Sequence, residues 1–425
     1  MRIAPRVGFC AVAVLWLFPG LGAAQTPGPA PGRSLTLAEA RALARRQSPD
    51  LEAARQSAAA AAGRERQAGA WLNPTLSYGR EQVSGGGLTN AQDIVSLEQP
   101  LELGGQRGAR RESASFALAA AEARVALAEA QVDWEVARLY ATAVASERRA
   151  TLAEEAVAAF DRAVRTSEAR LAGGDVSGYQ HRRLALEAAR YAGARLEARM
   201  ARDTALQGLA SLMGFSDSTA AVPSLQLVDT LLPDPLTVTL DSLLALALAW
   251  RPELLGARLE AEAGAADADL AAAERVPTPV LSGGYKAEEI SGVGRLEGYV
   301  AGISIPLPLW DRRAGAVSAA RAEADRRVSA TAAIRRQTAL LVRATFNAHQ
   351  ALAGELALLA RQLGPDADMV RGAAAAAFAE GEMSLLEWLD AVRAYQEAES
   401  TYAMLWAEYI ARRAALERAT GASLF

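Results

Sequence analysis

Cysteine is almost missing from this 425-residue chain: the one thiol, Cys10, lies inside the N-terminal apolar run from Val7 to Phe18. Beyond that run there is no thiol, which excludes disulfides and thiolate metal sites there. Histidine is nearly as scarce. His181 and His349 stand alone, and each reads as a polar residue, at a surface turn and on a long helix respectively, rather than as a metal ligand. Lysine occurs once, at Lys286, among 45 basic residues, and aromatics make up 6% of the chain. The chain carries no glycine-rich phosphate loop, no nucleophile elbow and no metalloprotease helix. No catalytic residue, resident metal or cofactor is therefore assigned. A net charge of -4 leaves no electrostatic footprint for nucleic acid.

What is present begins with an export signal. Arg2 and Arg6 precede the apolar run, which is too short for a stable bilayer span, and Gly22-Ala23-Ala24 offers small residues for cleavage. Residues 1–24 read as a signal peptide, with an uncleaved anchor as the alternative. A lipid-modified cysteine would follow the run, whereas Cys10 lies within it. Residues 25–34, with Pro27, Pro29 and Pro31, read as a flexible lead-in.

The rest of the chain contains itself twice. Leu35-Thr36-Leu37 recurs as Val238-Thr239-Leu240, Pro49 as Pro252, Gln99-Pro100-Leu101 as Ile305-Pro306-Leu307, and Gly174-Asp175-Val176-Ser177 as Gly381-Glu382-Met383-Ser384. The offset drifts only from 203 to 207 residues. Residues 35–214 and 238–421 are thus two copies of one unit, joined by a linker over 215–237.

Each copy predicts two short helices, two strands and a long helical hairpin. No proline occurs between Pro100 and Pro223, and Leu118, Val125, Val132 and Leu139 recur every seven residues as a coiled-coil seam. The spacing predicts a helix over 108–171, roughly 95 Å long, and a return helix over 177–213. The second copy predicts helices over 312–378 and 384–420. Pro365 interrupts the former and predicts a bend, hinged or static, about 24 Å above the tip.

Strands are expected over 75–83, 93–102, 280–289 and 296–307. Runs of about 9–11 residues suit a transmembrane β-strand, although soluble hairpins have the same lengths. Four strands cannot close a membrane barrel, and lipid does not tolerate open sheet edges. Three copies pooling their strands would give about twelve, above a helical tube. Pro100 and Pro306 end strands because proline cannot donate to a ladder. Gly104-Gly105 permits a sharp turn into the first long helix, and Asp311 is placed to cap the second.

These junctions carry a resemblance. The segment from Leu97 to Arg107 (LEQPLELGGQR), its partner from Ile303 to Arg312 (ISIPLPLWDR), and the tip sequence from Gly381 to Arg393 (GEMSLLEWLDAVR) resemble the TolC family of outer-membrane efflux ducts. Within it they are similar to the CzcC-like heavy-metal-efflux branch. The resemblance implies a mainly α fold with a small β part, assembled as a homotrimer with a 12-strand barrel in outer-membrane lipid on an α-helical barrel in the periplasm. It implies a passive exit duct for metal cations or small organic compounds, served by a periplasmic adaptor and an inner-membrane pump of the RND type. The duct of a type I protein secretion system is the alternative within transport. A soluble periplasmic coiled-coil adaptor or spacer is the alternative outside it.

The hairpin tips are the functional candidates. Gly174 and Gly381 supply turns, and Ser177 and Ser384 cap the return helices. The resemblance implies that the tips dock on the adaptor, with Leu171, Val176, Met383 and Leu385 as apolar contacts. Glu387 and Asp390 share a helix face. The resemblance puts them at a periplasmic constriction, where acidic rings would favour cations. Solvated or salt-bridged carboxylates are the other reading. The first copy offers Gln180 and Arg183 at the matching places.

Overall fold

The computed structural model describes residues 34–215, 226–227, 236–364 and 367–423. The expected signal peptide, most of the lead-in and linker, and Pro365 lie outside the described residues.

The first half runs β1 (Ser34–Leu35), α1 (Leu37–Gln47), α2 (Pro49–Ala68), β2 (Thr75–Gly85), β3 (Leu88–Pro100), α3 (Gln106–Gly173) and α4 (Gly178–Leu212). The second runs β4 (Gln226–Leu227), α5 (Leu240–Trp250), α6 (Pro252–Ala273), β5 (Val280–Ile290), β6 (Gly294–Ser304), α7 (Ala314–Leu363), α8 (Ala367–Glu380) and α9 (Leu385–Thr420). Local chemistry explains the starts. Thr36 and Glu39 form a reciprocal capping box on α1, Thr239 caps α5, and Pro49 and Pro252 occupy first-turn positions, where a missing N–H leaves no bond unmade.

The 68-residue α3 is about 100 Å long at 1.5 Å per residue. On one flank α2 and α4 stack end to end along it; on the other, α6 and α9 do the same, and α7 and α8 lie beyond them. The rods are therefore ordered α2/α4, α3, α6/α9, α7/α8. The heptad seam read on α3 is half-buried, with Val132 and Leu139 packed against the central core, but it is one of several buried faces of the helix. Val136, Ala137, Tyr140, Ala141, Ala143 and Val144 are buried around the helix, because it has neighbours on both flanks. Its alanines are what let three rods approach one another. The continuous helix expected over 312–378 is divided: α7 ends at Leu363, Gly364 follows at φ 67°, and α8 begins at Ala367.

The core has three parts. A central cluster joins α1, α3, α4 and α9 through Ala40, Tyr140, Leu209 and Trp406. A second joins α5, α7 and α9 through Leu243, Val342 and Leu416. The third fills the tips.

The four long strands form one antiparallel sheet in the order β2-β3-β5-β6. Thr75 pairs with Glu98, Pro100 with Val280, and Val280 with Ser304, so all four helix-side strand ends lie at one level. β3 begins at Leu88 rather than 93 because Gly86 and Gly87, both at positive φ, close the hairpin in two residues. β6 ends at Ser304, two residues before Pro306, rather than at 307. Neither β2 nor β6 has a second partner among the described residues.

Candidate functional site

The sheet has two chemically distinct faces. Successive side chains on a strand alternate sides, and the register sorts them. One face carries Leu76, Leu97 and Ala301 on one rung and Tyr78, Val95, Tyr285 and Tyr299 on the next, with Leu281 and Ile303 below. Tyr299 is 92% exposed, and its ring meets that of Tyr285 edge-on at 6.2 Å. The opposite face is polar near the helices, apart from Val300, and mixed toward the turns, where Val83, Ile94 and Leu296 stand among polar residues. Ser77 and Ser96 share a 2.7 Å hydrogen bond, Gln92 donates to Glu81 at 2.6 Å, and Glu288 accepts from Asn90 at 2.9 Å and pairs with Lys286 at 3.0 Å. The apolar face becomes charged toward the hairpin turns, where Arg80 lies 3.6 Å from Asp93 and Arg295 lies 3.0 Å from Glu297. An apolar band thus occupies the helix-proximal part of one face, backed by a polar surface.

At the strand-to-helix junction, Gly105 adopts φ 79° as the residue before α3, and a Cβ on Gly104 would overlap Val276 and the Ala273 carbonyl. The second junction does this differently from the sequence expectation. Asp311 is not the helix cap. Arg313 occupies that position at φ 54°, and the Asp311 carboxylate accepts its N–H at 2.8 Å, holding the turn one step earlier.

The two tips lie side by side. Gly174 (φ 83°) and Gly381 (φ 86°) sit in the left-handed region that favours glycine. Ser177 with Gln180, and Ser384 with Glu387, form reciprocal capping boxes that start α4 and α9. Arg170 crosses from the first hairpin to the second: its Nη1 donates to the Phe378 carbonyl at 3.5 Å, and a Cβ at Gly381 would collide with its guanidinium. Between the tips is a cavity of about 150 Å³ edged by Val176, Ser384 and Leu385.

Beneath this surface is an aromatic core that the sequence reading missed. Phe160 stacks on Tyr191 at 4.4 Å and meets Trp388 edge-on at 4.9 Å, while Trp388 stacks on Phe378 at 4.8 Å. The available signal was distribution: in a chain so poor in aromatics, these four flank the two tip turns. Met383 and Leu385 pack partly against this core. Leu171 is exposed and Val176 half-buried.

Glu387 and Asp390 are both exposed on α9, as expected of one face. Their surroundings differ. The Glu387 carboxylate accepts the Ser384 backbone N–H at 2.9 Å, and bonding from the Ser384 hydroxyl and then its backbone holds the acid below its usual range. Its charge is therefore engaged by the cap. His181 is half-buried, with Nδ1 3.3 Å from the Ser167 hydroxyl. His349 is fully buried and stacks on Tyr409 at 4.4 Å, a core position rather than a generic helix surface. No cluster of residues able to hold a metal ion occurs among the described residues, and no helix there is long and apolar enough to cross a membrane.

Comparison with known proteins adds three findings. The family model described as "Outer membrane efflux protein" matches residues 40–215 and 243–422. The chain is 29% identical to the nickel and cobalt resistance protein CnrC of Cupriavidus metallidurans, over 72% of this chain and 70% of that one. It is 30% identical to the nickel-cobalt-cadmium resistance protein NccC of Alcaligenes xylosoxydans, over 75% and 69%. The fold superposes on a crystal structure of CusC, described in terms of transmembrane channel formation, with a TM-score of 0.72 at 17% identity, covering 91% of this chain and 92% of that one.

Proposed function

The chain belongs to the outer membrane efflux protein family, and from that premise we propose that it works as a homotrimeric exit duct for heavy-metal cations. The observation that carries this reading is the two-faced sheet with an unpartnered strand at each edge. A free β2 and a free β6 in lipid leave backbone donors and acceptors unsatisfied, at several kcal/mol each. Pairing β6 of one copy with β2 of the next removes every edge. Twelve strands from three copies suit a closed membrane barrel, with the apolar band toward lipid and the polar face toward the lumen. The helical rods support the same closure. Leu186, Leu196 and Met200 are exposed on the edge helix α4, and Val328, Leu340 and Leu358 on the opposite edge helix α7.

The duct performs no covalent chemistry in this reading. An inner-membrane pump of the RND type supplies the energy, and a periplasmic adaptor docks on the tips around Leu171, Gly174, Val176, Ser177 and Gly381. Met383 and Leu385 contribute from half-buried places beside the tip core, and Ser384 from an exposed one. Asp390, exposed and not part of the capping box, is the acid that lines the closed aperture. Nickel and cobalt are the natural first cargoes to test, since they figure in the names of both curated relatives.

The test is complementation of a nickel-sensitive strain lacking its own duct, alongside cross-linking of the purified protein. Restored tolerance with a three-chain product is expected, and Leu171→Glu combined with Val176→Glu should abolish tolerance while the three-chain product persists. A stable monomer that restores tolerance would defeat the reading.

A further inference from the structure

We propose that the junction between sheet and helices seats the phosphate-bearing headgroup of an anionic phospholipid, in the cleft bounded by Arg64 and Trp71. The inference rests on the membrane reading of the two-faced sheet and adds a specific lipid site to it.

All four strands meet the helices at one level, and the residues just outside them are large, apolar and exposed. Trp71 is 62% exposed, Leu103 69%, Leu307 71%, Leu309 61% and Trp310 94%. These side chains lie three to six residues beyond the strand ends. Tryptophan at such a boundary marks the membrane–water interface, where its ring lies among headgroups.

The same junction segments are rich in arginine. Within residues 64–72, 101–112, 274–276 and 305–313 there are eight arginines and five carboxylates. Three of those carboxylates are already engaged. Glu102 holds Arg110 at 2.6 Å, Glu274 pairs with Arg313, and Asp311 accepts the Arg313 N–H. Arg64, Arg111 and Arg312 form no ion pair among the described residues. Arg107 lies over the Trp71 ring, 4.5 Å from its centroid, so the aromatic and cationic belts touch.

Between α2 and α3, beside these belts, lies an open cleft of about 720 Å³. Arg64 and Gln67 offer donors at its edge, while Arg110 and Ser113 in its lining already donate to Glu102 and Asp267; Trp71 and Leu72 form its sheet-side wall, and small residues including Ala114 and Ala117 floor it. A ligand that fits needs an anionic oxygen cluster for Arg64 and an apolar extension that leaves past Trp71 and Leu72 into the band. A phospholipid has both parts, in the order that the walls require. A free phosphate has only the first.

The experiment uses the full-length protein extracted from the outer membrane in detergent. Native mass spectrometry measures retention of phosphatidylglycerol against phosphatidylcholine with the same acyl chains, with inorganic phosphate as competitor. Phosphatidylglycerol should be retained in preference, and Arg64→Gln should weaken it about five-fold, the value of one arginine at an anionic surface. Arg190→Gln, near the tips, should change nothing. Equal retention of the two lipids, an unchanged Arg64→Gln variant, or displacement of the lipid by inorganic phosphate would each overturn the site. Channel formation by the same preparation in planar bilayers separates the two readings: normal channels without lipid preference sink only this site, whereas wild-type protein that forms no channel sinks the membrane reading itself.

Discussion

The ring of Trp388, one turn into α9, meets the ring of Phe160 on α3 edge-on, at 4.9 Å between centroids and 62° between planes. This contact ties the second hairpin to the first where each would otherwise end in solvent. Trp388 is 1% exposed and Phe160 fully buried. Trp388→Ala is expected to cost about 3–5 kcal/mol of local tip stability, because it opens a large cavity in a fully buried site. Hydrogen exchange should rise at the ends of α8 and α9 while the sheet stays protected. Uniform exchange across tip and sheet would show that the aromatic core is not what holds the tips.

The two faces of the sheet should respond oppositely to charge. Leu97 lies on the apolar face, on the rung with Leu76 and Ala301. Leu97→Arg should cost about 2–4 kcal/mol if that rung is near the bilayer midplane. Glu81→Arg, on the polar face, should be tolerated. The measurement is the yield of assembled protein in the outer-membrane fraction. Equal yields would mean that the apolar face is not the lipid face.

Most of the architecture was legible in the sequence because its signals are long. A 68-residue helix, a repeat at a 203-residue offset and prolines at matched first turns each survive local noise. Turn chemistry was equally readable at Gly174, Ser177, Gly381 and Ser384, where the residue type and its position dictate the cap. What escaped was contact between distant segments. Phe160 and Trp388 are 228 positions apart, and nothing local to either reveals the other. The same holds for Arg170 beneath Gly381. Asp311 misled for a different reason. An acid ahead of a helix usually caps it, but here Arg313 takes the left-handed position and moves the helix start two residues on.

Glu387 and Asp390 should separate when mutated. Asp390→Asn is expected to reduce the cation preference of single channels, since an exposed acid at the aperture contributes its field to the pore. Glu387→Gln should keep the cap, because glutamine completes the same reciprocal box, and should change selectivity less. The Glu387 acid is held low by Ser384, so its contribution to the tip is present above the ordinary carboxylate range and is lost as pH falls through the lowered value. Selectivity that follows Glu387 and ignores Asp390 would reverse the assignment.

The last prediction concerns His349, buried against Tyr409. Burial first, and the Arg413 charge second, lower its pKa to about 4, opposed by a hydrogen bond with the Tyr409 backbone. The sign follows from proton counts. Between about 4 and the ordinary value near 6.5 the unfolded chain binds a proton that the folded chain does not. Stability is therefore greatest above 6.5, falls as the pH drops through that window, and levels off below about 4. The effect is at most about 3 kcal/mol per chain, since each pKa unit corresponds to about 1.4 kcal/mol and solvent screening reduces it. His349→Phe keeps an aromatic ring against Tyr409 and removes the titration. Thermal unfolding of the purified protein from pH 4 to 7 should show a slope in the wild type that flattens in the variant. Identical slopes in the two proteins would place the acid sensitivity elsewhere.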